Sequence, residues 1–175
     1  MSWQSRTELM FGVERMPQLH QAHVMVVGLG GVGAYAVEML CRAGVGEFTL
    51  VDGDTVNDSN RNRQLVALTS TVGQLKTDVL AARLRDINPD VKLHLYPEFL
   101  RDERTVELLK MAHYDYLVDA IDTFHQYFST FPTFQPSNLL TLHFSNFPPS
   151  YLSNLPTFQL STFPPSYPSN HLLIS

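Results

Sequence analysis

The sequence predicts an α/β fold, a Rossmann-like doubly wound parallel sheet, over residues 1–123. Three observations predict it. Short apolar, β-branched runs alternate with segments of helical periodicity. The first run passes into the glycine-rich turn "GLGGVG", which opens a helix. Gly28, Asp52 and Asp122 stand at the carboxyl ends of three runs, where such sheets bind their ligands.

The elements follow in order. "HVMVVG", from His23 to Gly28, is a short buried strand. "GVGAYAVEMLCRAG" is a helix: Val32, Ala36, Leu40 and Ala43 recur at helical spacing, and Gly44 is a good carboxyl-terminal stop. "EFTLVD" is the second strand. "VGQLKTDVLAARLRDINP" is the second helix, with Val79, Leu80, Leu84 and Ile87 as its apolar stripe and Pro89 just beyond. "VKLHLY" alternates as the third strand. "DERTVELLKMA" opens with acids that suit a helix amino terminus. "YDYLVDAID", Tyr114 to Asp122, is the fourth strand. This alternation gives a doubly wound parallel sheet, whose order 3-2-1-4 places the switch point beside the glycine turn.

The rest of the chain is unlike this. All 12 Lys and Arg and all 17 Asp and Glu lie at or before Asp122, as does every Gly, Ala and Val. Residues 124–175 form a low-complexity tail rich in Phe, Pro and Ser, read as disordered. It repeats itself: "FPPSYLSN" from Phe147 returns as "FPPSYPSN" from Phe163. Its prolines remove backbone donors, and it shows no pattern for strands in register. The favoured reading is a DNA repeat translated in the wrong frame after a frameshift within the domain, which leaves the first 123 residues as an incomplete domain. A functional tail and an aromatic interaction segment are the alternatives.

The 175 residues carry a net charge of −5, which gives no reason to expect broad nonspecific nucleic-acid binding. Cys41 is the lone cysteine, so an intrachain disulfide and a multi-cysteine zinc site are excluded. It reads as a small buried hydrophobe on the first helix. The start, "MSWQSRTELM", lacks a signal-peptide layout, and no run approaches a membrane span. The expected setting is cytoplasmic.

Gly28, Gly30 and Gly33 match G-x-G-x-x-G, with Gly31 in addition. Such a turn lets phosphate approach backbone amides at a helix amino terminus, and Asp52 can accept from ribose hydroxyls. Those features suit a dinucleotide and ATP alike. The segment "DGDTVNDSNRNRQLVALTSTVGQLK" separates them, because Asn60, Arg63, Gln64 and Lys76 follow within one loop-and-helix unit. A dinucleotide oxidoreductase has no evident use for these cations, whereas a triphosphate does. Solvated surface charge is the plainer reading of Arg61, Arg63 and Lys76. Asp122 is a hard oxygen donor suited to Mg2+. His20 and His23 could face each other, but two histidines without a third ligand read as structural.

"GLGGVGAYAVEMLCRAGVGEFTLVDGDTVNDSNRNRQ", "VGQLK", "INP" and "DAID" together resemble the ubiquitin-activating-enzyme-like adenylyltransferases. "SRTELMFG" and "DAIDT" look most like the bacterial branch acting on tRNA threonylcarbamoyladenosine. The resemblance implies ATP and Mg2+, with Gly28, Gly30, Gly31 and Gly33 along the phosphates and Asp52 at the ribose. It implies Asn60, Arg63 and Lys76 at the phosphates and reacting centre, and Asp122 at the metal. Arg6 resembles an arginine that such homodimers contribute to the partner's ATP. The implied reaction adenylates a carboxylate, and in the tRNA branch the activated group then cyclises. The alternatives are an NAD-dependent oxidoreductase and an inactive remnant or interaction protein.

Overall fold

The structure, a computed structural model, describes residues 2–121 and 139–141. In chain order they form α1 (Ser5–Phe11), α2 (Met16–Gln21), β1 (His23–Val27), α3 (Gly33–Ala43), β2 (Glu47–Val51), α4 (Lys76–Ile87), β3 (Lys92–Tyr96), α5 (Asp102–Met111), β4 (Tyr116–Asp119) and β5 (Leu139–Thr141). The strands make one sheet in the order β3-β2-β1-β4-β5, and every pair is parallel. The expected order of the first four strands is present.

Register places the carboxyl ends flush. Val27 lies opposite Val51 and Asp119, and Val51 lies opposite Tyr96. All five residues of β1 are buried, as a central parallel strand covered on both faces requires. Alternation then sorts the core into two layers. Val24 and Val26 pack with Phe48, Leu50, Val37 and Leu80 on the face carrying α3 and α4. Met25 and Val27 pack with Leu108, Leu109 and Leu117 on the face carrying α5.

Three sequence expectations need correction. The stripe Val32, Ala36, Leu40 and Ala43 is only half-buried; the buried face of α3 is Gly33, Ala34, Val37, Glu38 and Cys41. The turn sets this phase. A Cβ on Gly33 would lie 1.8 Å from the Gly28 carbonyl oxygen, so Gly33 must face the strand and the helix rotates by one residue to allow it. In α4, Thr77 and Ala81 join Leu80 and Leu84 in the core, while Val79 and Ile87 lie at its margin. Finally, the sheet continues into the segment read as a tail: Leu139, Leu140 and Thr141 pair with Leu117, Val118 and Asp119. That stretch has no proline, so its backbone can join a ladder.

Gly44 closes α3 as expected, with φ +112 and its N–H on the Leu40 and Cys41 carbonyls. Glu38 ties α3 to α4. Its buried carboxylate accepts from Arg42 on its own helix and from Arg83 on α4. Those two cations hold its carboxyl below the usual range, Arg83 contributing most, against the upward push of burial.

His20 and His23 do not form a pair. The His20 ring lies 2.9 Å from Gln4 Oε1. His23 opens β1 at the amino rim of the sheet, where Glu47 and His94 meet it. Burial pushes His23 down, outweighing the upward pull of Glu47. Among the described residues no helix is long and apolar enough to cross a membrane.

Candidate functional site

The glycine turn joins β1 to α3 at the flush carboxyl rim. Gly28 has φ +88, and a Cβ there would lie 2.8 Å from the Ala120 carbonyl oxygen. Its N–H donates to the Val51 carbonyl at 2.9 Å, which pins the turn to β2. Gly28 and Gly33 are therefore required by shape. Gly30 and Gly31 differ: a Cβ on either would first meet atoms of Gln64 or Arg63, both at 3.6 Å. Their bareness opens the turn toward the loop that carries those side chains. No side chain caps the amino end of α3, so its first amides are available to an anion.

Asp52 follows β2 and braces the turn. Its Oδ2 accepts from the Leu29 amide at 2.6 Å and its Oδ1 from the Asp54 amide at 2.8 Å. Burial pushes its carboxyl up, while the two amides and Lys76 pull the other way. Each oxygen keeps a second lone pair, so a ribose hydroxyl can still be accommodated.

Lys76, the first residue of α4, is not a solvated surface charge. It is 4% exposed. Its Nζ lies 2.9 Å from Asp54 Oδ2 and 4.0 Å from Asp52 Oδ2. The chain brings it there by pairing Thr55 with Leu75 and by donating the Lys76 amide to the Asp54 carbonyl at 3.1 Å. Asp54 was absent from the sequence expectations. Its only signal was an acid two residues beyond Asp52.

Asn60 and Arg63 lie on the intervening loop. Asn60 Oδ1 accepts from the Asn57 amide at 3.1 Å, and its carbonyl accepts from Arg63 and Gln64. Arg63 is exposed, with Nη1 near the Ser59 carbonyl and Asn62 Oδ1. Gln64 Oε1 is buried beside the turn and bonds to nothing among the described residues. Arg61 pairs with Asp58 at the surface, as the plainer reading held. Arg6 sits on exposed α1. The neighbouring Gln4 packs at Gly44, the far end of α3, so one chain does not bring Arg6 to its own glycine turn. β4 ends at Asp119, three residues sooner than expected, and Asp122 lies outside the described residues.

The structure therefore gathers the four glycines, Asp52, Asp54, Arg63, Gln64 and Lys76. Chemically this is an anion cradle: bare amides on one wall, a buried ammonium on another, and carboxylates that hold both.

A sequence profile described as the ThiF family matches residues 4–128. The tRNA threonylcarbamoyladenosine dehydratase of Bacillus subtilis is 47% identical over 119 residues, 68% of this chain and 46% of that protein. The protein of the same name from Haemophilus influenzae is 43% identical over 109 residues, 62% of this chain and 41% of its own length. Among solved structures, Escherichia coli tRNA N6-threonylcarbamoyladenosine dehydratase in complex with ATP superposes with a TM-score of 0.66 at 38% identity. That match covers 68% of this chain and 49% of that one. The chain thus spans less than half the length of these relatives. Sequence profile, graded identity and shared sheet agree, and the chain belongs to the ThiF family.

Proposed function

We propose that the cradle binds ATP and that the chain's chemistry is adenylation of a carboxylate. The carboxylate of the threonylcarbamoyl group of tRNA threonylcarbamoyladenosine is the substrate that the similarity to the dehydratases favours. One observation carries the reading: a lysine 4% exposed, held by two acids beside an uncapped glycine turn. Burying an ammonium is costly, and a phosphate chain along the turn would offset that cost.

In this reading the phosphates lie along the turn Gly28–Gly33 and meet the amides that follow Leu29, while the Gly28 and Leu29 amides stay on Val51 and Asp52 and brace the turn; Asp52 takes the ribose. Asn60, Arg63 and Lys76 stabilise charge on the α-phosphate and the leaving pyrophosphate. The substrate carboxylate attacks the α-phosphorus, the bond to pyrophosphate breaks, and an acyl-adenylate results. The carbamoyl group then closes on the activated carbonyl, and AMP leaves. Mg2+, held by Asp122, would neutralise phosphate charge when bound. Arg6 would serve the site of a second copy in a homodimer, and the setting would be cytoplasmic.

The test is calorimetric titration of the full chain with Mg-ATP, with Lys76→Ala and NADH as comparisons. Binding of ATP that the variant loses, with NADH inert, supports the reading. Pyrophosphate exchange driven by modified tRNA then tests the substrate. NADH binding that survives Lys76→Ala would overturn it in favour of a dinucleotide oxidoreductase.

A further inference from the structure

We propose that His23, Glu47 and His94 form a binding site for a borderline divalent transition-metal ion, for which zinc is the probe. The site lies at the amino rim of the sheet, the end opposite the glycine turn. Parallel register builds it. His23 and Glu47 are paired residues opening β1 and β2, and His94 is the third residue of β3. All three belong to the face that carries α5, by the alternation that sets Met25, Val27 and Val51 there.

The donor atoms converge. One ligand atom from each residue lies within 4.8 Å of the other two. His23 Nδ1 is 3.7 Å from Glu47 Oε1, and His94 Nε2 is 2.8 Å from the same oxygen. Tetrahedral zinc with bonds near 2.05 Å holds its ligand atoms about 3.4 Å apart. The His23 spacing is already close to that. His94 needs to swing out by roughly half an ångström, and it is free to do so because its side chain is 47% exposed.

The surroundings suit a ligand. His23 Nε2 lies 2.9 Å from Thr49 Oγ1. With Nε2–H donating there, Nδ1 turns its lone pair toward Glu47, the outer hydrogen bond that metal-binding imidazoles use. The His23 ring is also flanked by Tyr114 at 4.7 Å between centroids, which fixes its plane. Two imidazoles and one carboxylate disfavour Mg2+ and Ca2+ and favour zinc-like ions. Lys92 Nζ, 3.9 Å from Glu47 Oε2 and on a side chain 75% exposed, is the competing cation and can retreat into solvent. A bound ion would take the place of the hydrogen between His94 and Glu47 and staple three strands at one end. Three protein ligands leave a position for water.

The experiment uses the full chain, stripped with a chelator and titrated with Zn2+ against a chromophoric competitor. One equivalent is expected to bind and to raise the Tm. His94→Gln, at an exposed position, is expected to lose affinity about tenfold or more, together with the zinc-dependent rise in Tm. Its metal-free Tm should match the parent's. His20→Gln, whose ring is engaged by Gln4, should bind as the parent does. Parent-like zinc affinity in both His94→Gln and Glu47→Gln would overturn the proposal, as would a parent that binds no zinc.

Discussion

Two glycines three residues apart should fail in opposite ways when each gains one methyl group: Gly33 by losing stability, Gly30 by losing its ligand. In Gly33→Ala the new Cβ would lie 1.8 Å from the Gly28 carbonyl oxygen and 3.1 Å from Ala120 Cβ. The first obstacle is backbone and cannot rotate away. Relief requires the start of α3 to retreat by more than about 1 Å, which pulls Ala34, Val37 and Cys41 out of register with the sheet. Overpacking of this kind costs about 3 kcal/mol, the upper end of its usual range. For a domain of this size that lowers the Tm by roughly 10 °C. In Gly30→Ala the nearest atom is Gln64 Nε2 at 3.6 Å, an ordinary contact, and the backbone there is not left-handed. Its stability should change by less than about 0.5 kcal/mol. The methyl would instead stand between a phosphate and the turn amides, weakening Mg-ATP about tenfold or more. Thermal unfolding and calorimetry on both variants decide the matter. A Gly33→Ala chain with the parent Tm, or a Gly30→Ala chain as unstable as Gly33→Ala, would refute the reasoning.

Three further outcomes are expected. Glu38 is held below its ordinary value of 4.5 first by Arg83 and then by Arg42, so its stabilisation is complete above that pH and is lost as the pH falls through the lower folded value. Tm measured from neutral pH down to pH 3 should therefore fall less steeply in Glu38→Gln, which starts from a lower neutral Tm. Asp54→Asn removes the acid 2.9 Å from the Lys76 ammonium, and inorganic pyrophosphate should gain affinity by about severalfold in calorimetry. Cys41 is fully buried and its thiol is pushed up to about 11. At pH 8 a chromogenic disulfide should leave the folded chain untouched and react only as denaturant opens it, which makes this lone cysteine a clean reporter of unfolding.

The sheet and the glycine turn were legible because their signals are local. β-branched runs, a G-x-G-x-x-G turn and Gly44 each act over a few residues. The strand order followed from the doubly wound pattern of alternating strands and helices. What escaped depends on contacts between distant segments. The phase of α3 is set by one close approach, of Gly33 to Gly28, and not by counting apolar residues along the helix. Asp54 became part of the site only when the Thr55–Leu75 bridge carried Lys76 back to it. His23, Glu47 and His94 are separated by 24 and 47 residues and meet only through strand register. β5 was hidden by the proline-rich composition on either side of it.

The pairing of Lys76 with Asp54 carries a consequence for selectivity. An empty cradle does not present a bare positive charge; its ammonium is already occupied by an internal carboxylate, tethered at high effective concentration. An arriving anion would have to displace that carboxylate, and a small one such as orthophosphate would bring fewer contacts with which to do so. Under the proposed function, a long polyphosphate would gain the turn amides and Arg63 together and win the exchange. Asp54, more than half exposed, is then released into water at little cost. If the turn holds ATP as proposed, the internal acid would act as a placeholder and a filter against small anions.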